Sequence, residues 1–232
     1  MDVKIFADGA DLDGIARLAA DPQIQGFTTN PTLMKANGIS EYEPFARDVI
    51  RIIEGKPISL EVFADDFDEM ERQALKIASW GDNVYVKIPV TNTLGEPSEK
   101  LVRRLADAGV QLNVTALFTP EQVAWVTDAL ADGPAGYISV FAGRIADAGV
   151  DPLPIMQRSL EIMASQPQLE LIWASPREVF NVVQADQIGC HVITVTHDLL
   201  KKIPALGKDL DVFSLETVQM FYNDATAAGY QL

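Results

Sequence analysis

The sequence predicts one α/β domain built as a (β/α)8 TIM barrel, and three observations lead to this prediction. The chain has 232 residues, 48% of them hydrophobic, which suits one large domain with a sizeable core. Eight strand-like apolar runs recur along the chain, and helical patterns lie between them. This alternation is typical of parallel α/β folds, and eight repeats favour a closed barrel. A doubly wound open sheet is the alternative.

The eight strand-like runs have centres roughly 22 to 33 residues apart, and each interval has room for a strand, a loop and a helix. The centres are Lys4, Phe27, Leu60, Val86, Leu112, Ser139, Leu171 and Ile193. No linker, low-complexity tract or internal repeat divides the chain, so we expect one domain over residues 1–232.

Six helical patterns occupy the intervals, and several carry start and stop signals. They cover residues 42–55, 66–81, 97–109, 119–133, 151–167 and 175–189. Thr119 and Ser175 each place a hydroxyl before a proline, which is typical of a helix beginning. The tail over residues 214–232 has an apolar stripe at helical spacing, which predicts an additional C-terminal helix.

The composition limits the function classes. A formal charge of −15 argues against nucleic acids and anionic membranes as partners, so an anionic substrate must meet a locally basic site. The single cysteine, Cys190, permits no intrachain disulfide and agrees with a reducing compartment. The N-terminal residues do not resemble a signal peptide, and no apolar run reaches the ~18 residues of a membrane span. We therefore expect a cytoplasmic protein.

Lys87 is unusual because it stands in the middle of the strand-like run NVYVKIPVTN. A buried ammonium group costs several kcal/mol unless it is paired or loses its proton. With a two-residue period, polar residues recur on one face near the ends of seven strands, and Ser175 shares a face with Trp173. In a barrel such residues converge at the mouth, where barrel active sites lie. Alternatively, polar residues end strands because loops begin there.

The residue types narrow the chemistry further. The chain has two histidines, His191 and His197, which favours structural roles over a metal site. No glycine-rich dinucleotide or phosphate loop follows a strand, so we expect no cofactor. A lysine in a desolvated pocket has its pKa lowered, and its neutral amine attacks carbonyls to form a Schiff base. The protonated imine then acts as an electron sink for aldol cleavage.

The chain resembles the transaldolases, in the small subgroup that includes fructose-6-phosphate aldolases, and the likeness extends over nearly its whole length. The segments that carry it are GFTTNPTLM (26–34), VKIPVT (86–91), LNVTALFT (112–119), SVFAGRIAD (139–147) and ASPRE (174–178). The combination of these segments is a specific sign of the family, whereas the tripeptide KIP alone would be a weak one. The resemblance implies a class I aldolase type of barrel and a metal-independent transferase.

The resemblance also implies residue roles. Lys87 is expected to form the Schiff base, Asp8 to exchange the substrate hydroxyl proton, and Glu61 with Thr115 to hold a catalytic water. The residues expected to bind substrate are Thr28, Asn30, Asn113, Ser139, Phe141, Arg144, Ser175 and Arg177. Among these, Arg144, Ser175 and Arg177 are expected to hold the phosphate. Aldolases of the subgroup have a tyrosine and a glutamine where this chain has Phe141 and Glu61, which favours transfer.

The phosphate site is also expected from the residues alone, because a helix opening at Ser175 offers N–H groups beside Arg177. A capping box between Ser175 and Glu178 is the alternative. After Asp8 the chain has Gly9 and Ala10, where the resembling family more often has a hydroxyl residue, so the choice of substrate stays open, including a sugar with another anionic head group.

Three functions stay open at this point: a transferase of a dihydroxyacetone unit, a lyase that releases it, and a non-catalytic phosphosugar-binding barrel. Sugar phosphates are the expected substrates. The resemblance also implies a homo-oligomer, a pentamer or decamer, in which the tail over residues 214–232 packs on a neighbouring subunit. Packing of that tail on its own barrel is the alternative.

Overall fold

The structure is a computed structural model that describes residues 1–231. It divides the chain into two compact units, Met1–Leu200 and the segment from Lys201 onward. The first unit holds all eight strands, and the second holds a short 3₁₀ helix and one long helix.

The eight strands of the first unit are parallel and form a closed barrel in the order β1 to β8. Their bounds are β1 Lys4–Asp8, β2 Ile24–Thr28, β3 Ile58–Glu61, β4 Val84–Pro89, β5 Leu112–Leu117, β6 Gly136–Val140, β7 Leu169–Trp173 and β8 Val192–Thr196. Every predicted strand centre lies inside one of these strands. The predicted (β/α)8 barrel is therefore confirmed, and the open sheet is wrong.

Helices follow each strand of the first unit. Their bounds are α1 Leu12–Ala19, α2 Pro31–Ala36, α3 Tyr42–Ile52, α4 Phe67–Ala78, α5 Glu99–Asp107, α6 Pro120–Ala129, α7 Ala142–Asp147, α8 Pro152–Met163, α9 Phe180–Gln187 and α10 His197–Leu200. Each of the six predicted helical patterns contains a helix. The short helices α1, α2 and α7 were not predicted.

The start signal at Thr119 works as predicted. The Thr119 hydroxyl accepts a hydrogen bond from the Gln122 N–H, and the Gln122 side chain accepts one from the Thr119 N–H, with Pro120 as the first helical residue. This reciprocal cap satisfies two backbone donors that the helix itself leaves free. It fixes where α6 begins after β5.

The predicted start signal at Ser175 is wrong. Helix α9 begins at Phe180, because the Asn181 side-chain oxygen accepts hydrogen bonds from the backbone N–H groups of Arg177 and Glu178. Ser175 itself has a left-handed backbone with φ of 59°. Neither a helix N-terminus at Ser175 nor a capping box with Glu178 is formed.

The interior of the barrel contains an apolar cluster beneath its mouth. Phe6, Tyr137, Ile172, Ala174 and Val192 form it, and the Phe6 and Tyr137 rings meet edge to face with centroids 5.6 Å apart. This cluster closes the barrel below the polar strand ends. The polar side chains above it therefore face a cavity that opens at one end.

The phase of β7 differs from the prediction at Trp173. Ile172 and Ala174 belong to the interior cluster, so Trp173 points to the opposite face of the strand, where it is fully buried. The predicted shared face of Trp173 and Ser175 is wrong, because the chain leaves the strand after Trp173 and turns at Ser175.

The second unit contains α11, Leu210–Ala228, which begins four residues before the predicted tail. Asp209 caps it by accepting hydrogen bonds from the N–H groups of Asp211 and Val212, and Gly229 ends it with φ of 68°. Its place at a subunit interface stays a prediction. No helix among residues 1–231 combines the length and the apolar character that a membrane crossing requires.

Candidate active site

A cavity of about 550 Å³ lies at the carboxyl ends of the barrel strands. All twelve residues that the sequence predicted for the site line it: Asp8, Thr28, Asn30, Glu61, Lys87, Asn113, Thr115, Ser139, Phe141, Arg144, Ser175 and Arg177. The strand pairing explains why the residues on the strands converge, because side chains in one phase of parallel strands meet at the same end of the barrel, and the remaining residues lie in the segments that follow those strands.

Lys87 lies near the end of β4, in register with Glu61 of β3 and Asn113 of β5. Its side chain is 8% exposed, and its Nζ atom lies 3.0 Å from Glu61 Oε2. Nζ also donates a hydrogen bond of 3.0 Å to the Thr29 carbonyl. Pairing with Glu61 offsets the cost of burying the ammonium group. The same contact gives the amine a neighbouring base.

Asp8 ends β1 and faces the same cavity. Its carboxylate accepts a hydrogen bond of 2.8 Å from the Thr28 hydroxyl. Burial raises the pKa of Asp8, while the Lys87 ammonium and the Thr28 hydrogen bond oppose that change. A carboxylate with a raised pKa is a stronger base than one in water, so Asp8 is suited to accept a proton.

Two cavity residues on β8, Thr194 and Thr196, were missed by the sequence analysis. The Thr194 hydroxyl lies 2.5 Å from the Thr28 hydroxyl, so Asp8, Thr28 and Thr194 form one hydrogen-bonded chain. The two-residue period could have found both threonines, because Val192 of the same strand belongs to the interior cluster.

Asn113 of β5 is hydrogen-bonded to the two neighbouring residues Ser59 of β3 and Ser139 of β6, and it lies in register with Lys87. Its side-chain N–H donates to Ser59 Oγ at 2.8 Å, and its oxygen accepts a hydrogen bond of 2.7 Å from the Ser139 hydroxyl. The side chain is buried, and these bonds fix its orientation. The Ser139 hydroxyl proton is used by Asn113, so the oxygen of Ser139 is left as an acceptor toward the cavity.

Asn30 and Thr115 are held in different ways. The Asn30 side-chain oxygen caps α2 by accepting a hydrogen bond of 3.0 Å from the Leu33 N–H, which turns the amide NH₂ away from the cap. The Thr115 hydroxyl is buried and has no hydrogen-bond partner among residues 1–231. Such a hydroxyl is suited to bind a small polar ligand in the cavity.

The basic end of the cavity contains Arg144 and Arg177. The Arg144 guanidinium lies over the Phe141 ring, 5.8 Å from its centroid. Arg177 forms a two-point ion pair with Asp147 through Nε and Nη2. Phe141, predicted on the sixth strand, lies directly after β6 and packs against the interior cluster.

Gly143 allows the basic end to assemble. A Cβ atom at this position would lie 1.5 Å from the Ser175 carbonyl oxygen and 3.3 Å from Arg177 Cγ. Any residue other than glycine would therefore collide with the turn that presents Ser175 and Arg177. Gly143 was part of the recognised motif, but its close contact with Ser175 cannot be read from the sequence.

His197 fills the space next to Gly9. A Cβ atom at Gly9 would lie 2.6 Å from His197 Nε2, and one at Gly14 would lie 2.7 Å from His197 Cε1. Any side chain larger than a hydrogen atom at either position would therefore require the His197 imidazole to move. Burial lowers the pKa of His197. The other histidine, His191, accepts a hydrogen bond from the Leu171 N–H through Nδ1, which is a structural contact.

Solved structures share the fold at low sequence identity. A mandelate oxidase mutant with the C4a-OH-FMN adduct aligns with a TM-score of 0.60 and 13% identity, over 90% of this chain and 72% of that chain. A mandelate oxidase mutant with (S)-mandelic acid aligns with a TM-score of 0.59 and 14% identity, over 84% and 67% of the two chains. At this identity, the likeness shows the barrel fold alone.

Curated relatives are more similar in sequence. A protein named "Probable transaldolase" from Nitrosopumilus maritimus (strain SCM1) is 34% identical over 206 residues, which cover 87% of each chain. "Probable transaldolase 2" from Listeria monocytogenes serovar 1/2a (strain ATCC BAA-679 / EGD-e) is 32% identical over 215 residues, 91% of this chain and 94% of the relative. The family model described as Transaldolase/Fructose-6-phosphate aldolase matches residues 5–232. The chain belongs to the transaldolase/fructose-6-phosphate aldolase family.

Proposed function

We propose that the protein is a transaldolase that forms a Schiff base on Lys87 and moves a dihydroxyacetone unit between sugar phosphates. The donor is a ketose phosphate, fructose 6-phosphate or sedoheptulose 7-phosphate, and the acceptor is an aldose phosphate. The observation that carries the proposal is the buried Lys87 amine, 3.0 Å from the Glu61 carboxylate, in one cavity with Asp8.

Glu61 is suited to assist imine formation because it contacts the amine directly. It accepts a proton from the Lys87 ammonium, and the neutral amine then adds to the C2 carbonyl of the donor. The resulting carbinolamine loses its hydroxyl as water when Glu61 returns the proton, which leaves a protonated imine. The unpartnered Thr115 hydroxyl is suited to hold this water beside Glu61.

Asp8 is suited to the carbon–carbon cleavage. Its carboxylate accepts the proton of the C4 hydroxyl, the C4–O bond becomes a carbonyl, and the C3–C4 bond breaks. The electron pair of that bond moves into the protonated imine and forms a neutral enamine on Lys87. When the enamine attacks an aldehyde acceptor, Asp8 returns its proton to the new hydroxyl. The raised pKa of Asp8 supports both directions of this exchange.

The remaining residues are suited to hold the substrate. The free NH₂ group of Asn30 and the oxygen of Ser139 offer a donor and an acceptor to sugar hydroxyls. Arg144, Arg177 and Ser175 supply charge and a hydroxyl to the phosphate at the cavity rim. Since the chain as a whole carries a formal charge of −15, these arginines provide the local attraction that an anionic substrate needs.

Transfer is favoured over release because neither Phe141 nor Glu61 is suited to protonate the enamine carbon. Release of dihydroxyacetone requires protonation of that carbon before hydrolysis. Phe141 has no hydroxyl to donate, and Glu61 is paired as a carboxylate with Lys87. The enamine therefore persists until an aldehyde acceptor arrives. A lyase is the second candidate, since the family contains both activities.

The decisive experiment measures acceptor dependence. A coupled assay follows glyceraldehyde 3-phosphate formed from fructose 6-phosphate, with and without erythrose 4-phosphate. We expect slow release without the acceptor and much faster formation with it, whereas equal rates would establish the lyase instead.

Borohydride tests the covalent step in the same preparation. Added with fructose 6-phosphate, it should attach a three-carbon unit to Lys87, as mass spectrometry of the peptide would show. Lys87→Met should lose both trapping and activity. Phosphosugar binding by the unmodified protein without trapping or turnover would instead support a non-catalytic barrel.

A further inference from the structure

We propose that Thr194 is a positioning residue of this site, which acts with Thr28 as a reversible pair of hydroxyls that holds the Asp8 carboxyl in both protonation states. The functional part of this inference rests on the proposed role of Asp8. The geometry of the pair stands independently of that role.

The two threonines flank Asp8 from both sides. Thr28 ends β2, Thr194 lies on β8, and β1 with Asp8 pairs with both strands. The Thr28 hydroxyl lies 2.8 Å from Asp8 Oδ1 and 2.5 Å from the Thr194 hydroxyl. Both threonines are buried, with exposures of 4% and 7%, and both line the cavity. Within the protein, each of the two hydroxyls has the other as a hydrogen-bond partner.

The direction of the chain follows from counting protons. An ionised Asp8 carboxylate accepts hydrogen bonds and donates none, so the single proton of the Thr28 hydroxyl goes to Asp8. The short contact between the two threonines then requires Thr194 to donate to the Thr28 oxygen. In this state, the hydroxyl protons of both Thr28 and Thr194 point toward the carboxylate.

Protonation of Asp8 reverses the direction of these two hydrogen bonds. The new Asp8 O–H donates to the Thr28 oxygen, Thr28 turns its proton toward Thr194, and Thr194 turns its own proton into the cavity that it lines. The two hydroxyls rotate, and neither exchanges a proton with its neighbours. Each protonation state of Asp8 therefore retains its hydrogen bonds, which a fixed donor such as a backbone N–H could not provide.

The charged groups that face Asp8 make this pair useful. Burial has the largest effect and raises the pKa of Asp8, and Glu61 on β3 raises it further, whereas Lys87 on β4 and His197 on α10 lower it. Thr28 opposes that rise by stabilising the carboxylate. Without the pair, the pKa of the buried acid would rise further, so less of Asp8 would be ionised and able to act as a base at a given pH.

The test compares Thr28→Val and Thr194→Val, which remove one hydroxyl each and keep the shape of the side chain. Thr127→Val is the matched control, since Thr127 is equally buried, donates to the Val123 carbonyl and lies outside the cavity. The direct measurement is a carbon-13 NMR titration of the Asp8 carboxyl, identified by its loss in Asp8→Asn. The second measurement is the pH profile of kcat/KM.

We expect the pKa of Asp8 to rise in Thr28→Val, and to rise by less in Thr194→Val, because the first change removes the direct hydrogen bond. The acid limb of the profile should move to higher pH in the same order. At optimum pH, kcat should fall about tenfold in Thr194→Val, the size expected for one buried hydrogen bond, with little change in KM. Thr194→Ser should restore the wild-type profile.

An Asp8 titration in Thr194→Val that matches Thr127→Val would overturn the proposal, and so would failure of Thr194→Ser to restore the profile. Full activity in Asp8→Asn would refute the proposed role of Asp8 in catalysis. The NMR titration would still decide whether the hydroxyl pair acts on the carboxyl. The two failures are therefore distinguishable.

Discussion

Gly143→Ala is expected to damage the phosphate end of the cavity and to leave the chemistry at Lys87 intact. The new Cβ atom would lie 1.5 Å from the Ser175 carbonyl oxygen, whereas real Cβ contacts essentially never fall below 3.0 Å. The turn at Ser175 must therefore retreat by about 1.5 Å. Ser175 already has a left-handed φ of 59°, so the turn has little freedom to absorb this movement locally.

The displacement converts to an expected loss of activity. A misplacement of about 1 Å in a substrate-positioning group costs about 100-fold in rate. Arg177 Cγ lies 3.3 Å from the same Cβ position, so the guanidinium moves with Ser175. We expect kcat/KM for fructose 6-phosphate to fall on the order of 100-fold. For unphosphorylated fructose, which makes no phosphate contact, the change should stay within about threefold.

The assay measures glyceraldehyde 3-phosphate from fructose 6-phosphate and glyceraldehyde from fructose, both with erythrose 4-phosphate as acceptor. Gly109→Ala is the matched control, because Gly109 follows α5 with φ of 80° and open space around it. That change costs about 1 kcal/mol of backbone strain away from the cavity and should leave both rates unchanged. Equal losses for both donors in Gly143→Ala would refute the reasoning.

Four further predictions follow from the site. Arg177→Ala should raise KM for fructose 6-phosphate about tenfold, with little effect on KM for fructose in the same assay. Tenfold is at the lower end of the range for losing a charge-assisted hydrogen bond, because the Arg177 side chain is half exposed. Phe141→Tyr should increase dihydroxyacetone release without acceptor, measured enzymatically, because it adds a proton donor to the cavity. EDTA should leave activity unchanged, since in the proposed mechanism the Lys87 imine serves as the electron sink; inactivation reversed by a divalent metal would contradict this. Light scattering after size exclusion should give five or ten subunits, and a monomer would refute the oligomer prediction.

The barrel could be predicted from the sequence because each strand is a compact apolar run between turn residues. The two-residue period then decided which side chains face the interior, and it brought Asp8, Glu61, Lys87 and Asn113 into one cavity correctly. These residues lie within regular strands, where the phase is fixed by the backbone. Which of these residues lie next to one another on adjacent strands depends on the register of the parallel strands. The closed barrel imposes that register, and it cannot be read directly from the sequence.

The errors fall where the chain leaves regular structure. Strand β7 ends at Trp173 and the backbone turns left-handed at Ser175, so the two-residue period no longer applies there. Asn181 competes with Ser175 for the backbone donors and moves the beginning of α9 by five residues. Thr194 was missed for a different reason: threonine is common in strands for its β-branched shape, so its hydroxyl did not stand out, although the two-residue period from Val192 places it on the interior face.

The balance of charge in the cavity suits the phosphorylated sugar that we propose as substrate, although the protein as a whole is acidic. The lining residues include Lys87, Arg144 and Arg177 against Asp8 and Glu61, three positive groups and two negative ones, whereas the whole chain has a formal charge of −15. Glu61 is ion-paired with Lys87, and Asp147 is ion-paired with Arg177. Arg144 has no ion-pair partner among residues 1–231, and its guanidinium lies over the Phe141 ring. A phosphate therefore meets Arg144 as the uncompensated charge, and it gains Arg177 by sharing or displacing the contact with Asp147.

Since the proposed imine keeps the positive charge of Lys87 beside Glu61, covalent binding of the sugar leaves this balance of charge unchanged. The phosphate end and the lysine end of the cavity thus act on the substrate independently, which is why changes at Gly143 and Arg177 are expected to distinguish phosphorylated from unphosphorylated donors.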